Sequence, residues 1–322
     1  MRLGVLSSGG DSPGMNAAIR AVVRQADALS IEVFGIWRGY QGLVDRDWRQ
    51  LRSRDCANIL QRGGTILHTA RCQSWMEPEV RAEAAAALKA EGIEGLIIIG
   101  GDGSFRGADR LYVEQGIRCA GIPGTIDNDL PGTELTLGFD TALNTAVEAI
   151  DRIRDTASSH ERLFLVEVMG RHSGMLAVHT AIACGAEAVL YPEAEDDTYE
   201  ALVTRLHANW ERGKRSSIVV IAEGDQAGGA VAVADRLRRD HQLDLRVAIL
   251  GHIQRGGSPS ALDRIWGSRW GCQAVKRLAA GEQAFFLGCH QGQLVQRPLS
   301  MVNDLPLAPP PEFGEMVRVL SR

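Results

Sequence analysis

Short apolar runs alternate with helix-spaced segments along almost the whole chain, and this rhythm limits the folds available to it. The runs fall near residues 2–6, 33–37, 95–99, 117–122, 163–168, 187–191, 217–222, 245–250 and 285–288. Helical spacing falls near 15–29, 77–91, 104–115, 139–156, 174–184, 197–212, 230–240 and 260–280. Strand–helix alternation predicts an α/β fold with a mostly parallel sheet covered by helices on both faces. In 77–91 the Ala- and Glu-rich composition favours helix, and Gly92 supplies the stop. Ligands of such sheets bind at the carboxyl ends of the strands, so the loops after the runs are where chemistry is expected.

With 322 residues the chain can bury ample core and form two lobes. Boundaries are expected near 137–140 and near Leu250-Gly251, giving lobes of 1–138 plus 251–300 and 139–250 plus 301–322. Pro306 and Pro309-Pro310-Pro311 predict an extended C-terminal strap. No apolar stretch approaches the ~20 residues that span a bilayer, and the first residues lack a signal-peptide pattern, so no membrane partner is expected. The net charge of −5 argues against a nucleic-acid footprint. An anionic ligand must then be met by local arginines. The six cysteines show no Cys-x-x-Cys spacing, consistent with reduced thiols in a cytoplasmic protein.

The segment Gly121-Ile-Pro-Gly-Thr-Ile-Asp-Asn-Asp129 follows a short apolar run. If the chain leaves that strand extended, Asp127 and Asp129 share one side, with Thr125 beside them. One acid can take a proton from an alcohol while the other holds a metal or a cation. Upstream, Leu96-Ile97-Ile98-Ile99 leads into Gly100-Gly101-Asp102-Gly103-Ser104. There Asp102 makes sense if Mg²⁺ bridges phosphates, although an acid also suits a helix start. Ser7-Ser8-Gly9-Gly10-Asp11-Ser12-Pro13-Gly14-Met15-Asn16 joins the first strand to the first helix, as a phosphate cradle or simply a tight turn. Met169-Gly170-Arg171-His172-Ser173-Gly174 and Gly251-His252-Ile253-Gln254-Arg255-Gly256-Gly257 each pair an arginine with glycines, a pattern suited to anions. Glu223, at the end of run 217–222, can bind sugar hydroxyls. A P-loop and the protein-kinase set are absent, and the dinucleotide fingerprint is missed by one residue. These loops predict a kinase acting on a small hydroxyl compound.

Taken together, Pro123-Gly124-Thr125-Ile126-Asp127-Asn128-Asp129, Met169-Gly170-Arg171 and Gly251-His252-Ile253-Gln254-Arg255-Gly256-Gly257 resemble the bacterial-type ATP-dependent 6-phosphofructokinases. The resemblance runs from Gly4 to about residue 296. It implies the phosphofructokinase fold: two Rossmann-like lobes, the first binding ATP and the second the sugar phosphate. It implies transfer of the γ-phosphate of MgATP to the 1-hydroxyl of fructose 6-phosphate. Asp127 would be the general base, Asp129 would assist at the metal or the sugar, and Asp102 would bind Mg²⁺. Gly10 and Arg71 would bracket the transferred group, which Thr125 and Arg171 would stabilise. Cys72, Gly101, Gly103 and Ser104 would complete the nucleotide site. Met169, Gly170, Glu223, His252 and Arg255 would hold the sugar phosphate. Arg162 and Arg246 would reach a neighbouring subunit's substrate, implying a homo-oligomer, usually a tetramer. Small residues at Gly103 and Gly124 imply ATP over pyrophosphate.

Arg20, Arg24, Arg154, Glu187 and Lys214 match the family's effector positions, where ADP or phosphoenolpyruvate binds, and plain surface charge is the other reading. Ser53, Ala57 and Asn58 depart from that pattern, as do Cys72 and Met175 near the active site. Competing readings are a related kinase for another acceptor such as NAD, a lipid or another sugar phosphate, a pyrophosphate user, and a catalytically silent regulatory subunit.

Overall fold

The computed structural model describes residues 1–194 and 196–321. Two compact units divide the chain: Met1–Ile126, Leu130–Thr141 and Arg255–Leu307 form the first, and Asp127–Asp129, Ala142–Gln254 and the residues from Ala308 on form the second. Compared with the expected ranges, the return to the first unit comes at Arg255, residues 301–307 stay with that unit, and Asp127–Asp129 belong to the second.

The first unit runs β1 (Arg2–Ser7), α1 (Met15–Ala28), β2 (Glu32–Ile36), α2 (Tyr40–Asp45), β3 (Trp48–Leu51), α3 (Pro78–Glu91), β4 (Ile93–Gly100), α4 (Asp102–Gln115), β5 (Arg118–Thr125) and β6 (Leu137–Gly138). The helix α5 (Phe139–His160) starts here and continues in the second unit. After the return come α9 (Ala261–Ala279), β11 (Phe285–His290) and β12 (Gln293–Pro298). Strand order is β12-β11-β5-β4-β1-β2-β3, with β6 on β5. The outermost strands β3 and β12 pair antiparallel, and the interior pairs are parallel. Order reverses between β1 and β4, which places two loops at the kind of crevice where doubly wound sheets bind ligands.

The apolar runs are continuous because both faces of the sheet are covered. Leu3, Val5, Ile97 and Ile99 pack under α1 and α9, while Leu6, Leu96, Ile98 and Phe105 pack on the other face. Helices α1 and α9 approach closely at Gly271, where a Cβ would lie 2.7 Å from the Ala18 carbonyl oxygen.

The second unit holds β7 (Leu163–Val168), α6 (Met175–Cys184), β8 (Ala188–Leu190), α7 (Tyr199–Glu211), β9 (Ser217–Ala222), α8 (Gly229–His241), β10 (Leu245–Ile249) and α10 (Pro311–Leu320). Its sheet, ordered β10-β7-β9-β8, is parallel throughout. Val166, Val168 and Val220 fill one core, and Leu165, Val219 and Ile221 fill the other.

The C-terminal strap is corrected in part. Residues 305–310 are irregular, but Pro311 opens α10, whose Val317 is buried with Phe313 packed beside the same core. Proline suits a first helical turn because that turn's N–H needs no intrahelical partner.

Candidate active site

In the first unit, Gly9 (φ +86) and Gly14 (φ +102) bend the β1–α1 loop into a left-handed conformation that glycine adopts without strain. The Ser8 amide donates to the Ile99 carbonyl at 2.9 Å, tying this loop to the end of β4. At Gly100 a Cβ would lie 2.5 Å from both the Ser8 carbonyl oxygen and Ser104 Oγ, so the two glycine loops touch only because this position is bare. Ser104 is held in turn by Tyr40, whose hydroxyl donates to its carbonyl at 2.5 Å. Burial pushes the Tyr40 phenol well above its ordinary pKa and keeps it a donor.

Asp102 opens α4 and forms an ion pair with Arg106, one turn on, at 3.0 Å. Its carboxylate is 43% exposed. Among the described residues no group of three or more His, Cys, Asp or Glu gathers as a metal cage. A single exposed carboxylate still fits Mg²⁺, which is commonly held by one or two carboxylates together with substrate phosphates. Gly101 comes within 3.9 Å of the Thr125 methyl through the Cβ it lacks, so Thr125 stands against the same loop. Gly103 has open space around it. At Gly124 a Cβ would lie 3.1 Å from Ile99 Cγ2 and Met15 Cε, so a lysine there would have to displace core side chains.

Arg71 is exposed and Cys72 half-buried. Their segment is anchored by Asn16, at the end of the first glycine loop, and by Thr69, to which no role was assigned. Asn16 donates to the Arg62 and Gly63 carbonyls, at 3.1 Å each, and accepts from the Ile66 amide at 2.8 Å. Thr69 Oγ1 donates to the Gly9 carbonyl at 2.6 Å. Arg255 lies over Gly10 and donates to the Asp11 carbonyl at 3.2 Å. Within the first unit, Gly10, Arg255 and the Arg71 segment therefore meet at one loop.

In the second unit, Asp127 is buried (5% exposed) and Asp129 is half-buried. Here the sequence expectation is corrected: β5 stops at Thr125, and Asn128 has φ +49. The two acids are not alternate residues of an extended strand, so the period-two argument for a shared side does not apply. Asn tolerates the left-handed region better than most residues, which is what the turn requires. Ser173 Oγ donates to the Asp127 carbonyl at 2.9 Å, linking this turn to the Arg171 loop.

That loop is held amide by amide. Met169 N–H donates to Gln254 Oε1 at 2.9 Å. Gly170 and Arg171 N–H donate to Glu223 Oε1 at 3.3 and 2.7 Å. Gly170, at φ +142, would bring a Cβ within 2.5 Å of the Ser173 carbonyl oxygen. Arg171 itself is exposed, with φ +54. His252 is exposed on the short helical turn Gly251–Arg255.

Arg162 and Arg246 sit elsewhere. Arg162 immediately precedes β7, and Arg246 is the second residue of β10, where it pairs with Asp244 at 2.5 Å. Both mark the amino ends of their strands, whereas the carboxyl end of β7 leads to the Arg171 loop and that of β10 to the turn Gly251–Arg255. The six residues of β7 put roughly 20 Å between the two ends. Arg154, Glu187 and Lys214 do converge. Glu187, 2% exposed, meets Lys214 at 2.8 Å and Arg154 at 4.0 Å, and its other oxygen accepts from the Ile218 amide. Arg20 and Arg24 lie on α1 in the first unit, where their charge acts on Cys56.

Glycine loops at a strand-order reversal in one sheet, and an acid beside an arginine loop in the other unit, define an α/β protein of the phosphate-handling class. More narrowly, the chain belongs to the phosphofructokinase family, whose model, described as Phosphofructokinase, matches residues 2–278. It is 56% identical over 298 residues to the ATP-dependent 6-phosphofructokinase 1 of Thermus thermophilus, covering 92% of each chain. It is 53% identical over 294 residues to the ATP-dependent 6-phosphofructokinase of Bacillus thuringiensis, covering 91% of each. Among solved structures, the phosphofructokinase of Saccharomyces cerevisiae matches with a TM-score of 0.85 and 34% identity over 94% of this chain. The chain spans 45% of the yeast chain's length. No helix among the described residues is long and apolar enough to cross a membrane.

Proposed function

We propose that this chain transfers the γ-phosphate of MgATP to the 1-hydroxyl of fructose 6-phosphate. The observation that carries this reading is the hydrogen bond between Ser173 and the Asp127 carbonyl, which joins the acid-bearing turn to the arginine-bearing loop within one unit. A base and a cation are then held together where a hydroxyl must lose its proton as a phosphoryl group arrives.

In this reading Asp127 accepts the proton of the sugar hydroxyl, and Asp129 assists it. Arg171, Arg71 and Thr125 neutralise the transferring group, and the Gly10 amide is a further donor to it. The loose transition state of phosphoryl transfer leaves catalysis largely to positioning and charge. The nucleotide lies along Gly101, Asp102, Gly103 and Ser104, with Cys72 nearby. Asp102 holds Mg²⁺, which would supply charge neutralisation at the phosphates. Arg106 pairs with one oxygen of this carboxylate, which leaves the other for the metal. Met169, Gly170, Glu223, His252 and Arg255 hold the sugar phosphate, and one Glu223 oxygen does so while the other keeps the loop amides. The crowding at Gly124 supports ATP over pyrophosphate as donor. Arg162 and Arg246, at the far end of the second sheet, support a homo-oligomer in which they serve a neighbour's substrate. Arg154, Glu187 and Lys214 are a candidate effector group.

Asp127→Ser should lower turnover about 10²–10⁴-fold, the usual weight of proton transfer, while fructose 6-phosphate binding survives. A coupled ADP-release assay measures the first and calorimetric titration the second. Turnover close to wild type removes the base role, and faster turnover with pyrophosphate than with ATP removes the donor assignment.

A further inference from the structure

Four backbone N–H groups of the loop 169–174 donate to side-chain acceptors, and these come from three separate places in the chain. Gln254 and Glu223 take the amides of Met169, Gly170 and Arg171. The remaining acceptor is Glu193, which follows β8. Both of its carboxylate oxygens lie 3.0 Å from the Gly174 amide. Gly174 is the N-cap of the ten-residue helix α6 and makes no side-chain cap of its own. A carboxylate here meets the unpaired amides and positive end of the helix dipole.

The approach is possible only because residue 174 is glycine. A Cβ there would lie 2.6 Å from Glu193 Oε2 and 2.5 Å from Tyr191 Cδ2. Its φ of −83° is one any residue can adopt, so the requirement is for space and not for backbone freedom. Glu193 is itself exposed, so little core packing depends on it. It is remote in sequence from every motif, and the loop it holds carries Arg171 three residues before Gly174.

We propose that Glu193 is a positioning residue for Arg171: its carboxylate anchors the downstream end of the 169–174 loop, and Glu223 and Gln254 anchor the upstream end. With both ends held, the guanidinium starts from a set backbone position. This deepens the reaction proposed above and rests on it. Misplacement of a reacting group by about 1 Å can cost on the order of 100-fold in rate, so a loosened anchor reads out strongly in kcat.

The test is a double-mutant cycle in the full-length protein, with turnover of MgATP and fructose 6-phosphate by the wild type measured first. Glu193→Ala should lower kcat roughly tenfold or more. The KM for MgATP should stay near the wild-type value and the melting temperature should change little. Glu193→Gln, which keeps a carbonyl acceptor, should recover most of the rate. Gly174→Ala, which excludes the carboxylate sterically, should reproduce the loss. In an Arg171→Ala background, Glu193→Ala should add almost nothing, because the group it positions is gone. Equal losses from Glu193→Ala with and without Arg171 overturn the assignment, as does a wild-type rate in Glu193→Ala. Absence of wild-type turnover would instead overturn the reaction, and the positioning role would fall with it.

Discussion

At Cys56 a single side chain shows how burial becomes a pH response. Burial raises its thiol to about 11, with Asp55 adding to the shift and Arg24 and Arg20 opposing it. The folded protein keeps the proton up to that pH, whereas the unfolded chain releases it near the ordinary value of 9.0. The thiol therefore costs nothing below pH 9, and stability falls as pH rises toward 11. Urea unfolding of Cys56→Ala should show a shallower loss between pH 8 and pH 10.5 than wild type. A parallel decline in both would assign the alkaline response to other groups. Residues of this kind are partly legible: an apolar neighbourhood can be guessed, but the charges of α1 near Cys56 come only with the fold. Asp127 shows the same division. Its type and its place after a strand pointed to a base, while the bend at Asn128 appears only when the strand is seen to end at Thr125.

Between elements, a buried arginine of the first unit links α3 to α4. Arg81, 2% exposed, donates through two nitrogens to the two carboxylate oxygens of Glu114 at 2.6 Å each, and through a third to the Trp75 carbonyl at 2.5 Å. The hydrogen bonds from Arg81 hold the Glu114 carboxyl below its ordinary range. A depressed acid contributes stability above its unfolded pKa and loses it as pH falls through the folded one. Glu114→Ala leaves the arginine charge buried with one carbonyl partner. It should cost about 2 kcal/mol, less than for a fully enclosed pair because Glu114 reaches solvent. Chemical denaturation at pH 7 measures this, and the difference from wild type should shrink below pH 4. A deficit of the same size at both pH values would mean that packing, not the ion pair, sets it. Long elements with strong periodicity, such as α1 and β4, were readable from the chain. The edge strand β3 was not, because Arg49 and Gln50 interrupt its apolar residues, and α10 was obscured by the prolines before it.

For the whole molecule, the proposed reaction requires that the sugar phosphate bind the native state whether or not the base is present. A ligand at 100 times its dissociation constant stabilises by about 2.7 kcal/mol, or about 4 °C in melting temperature for a chain of this size. Fructose 6-phosphate should therefore raise the melting temperature of both wild type and Asp127→Ser by similar amounts. A shift in neither would remove the sugar-phosphate assignment. Chelation of Mg²⁺ should abolish turnover and leave that shift intact, since Asp102, which holds the metal in this reading, lies in the nucleotide loop.

The chain alone specified the interior strands of both sheets, most of the helices after them and the glycine loops at their ends. These are local properties: burial on both faces makes a strand apolar throughout, and a left-handed turn favours glycine at one or two positions. The tertiary structure decided which side chains hold those loops still. Asn16 reaches residues 62–66, Gln254 reaches Met169, and Glu193 reaches Gly174. Such contacts follow from strand order, which brings distant segments side by side, and no spacing within a segment encodes them.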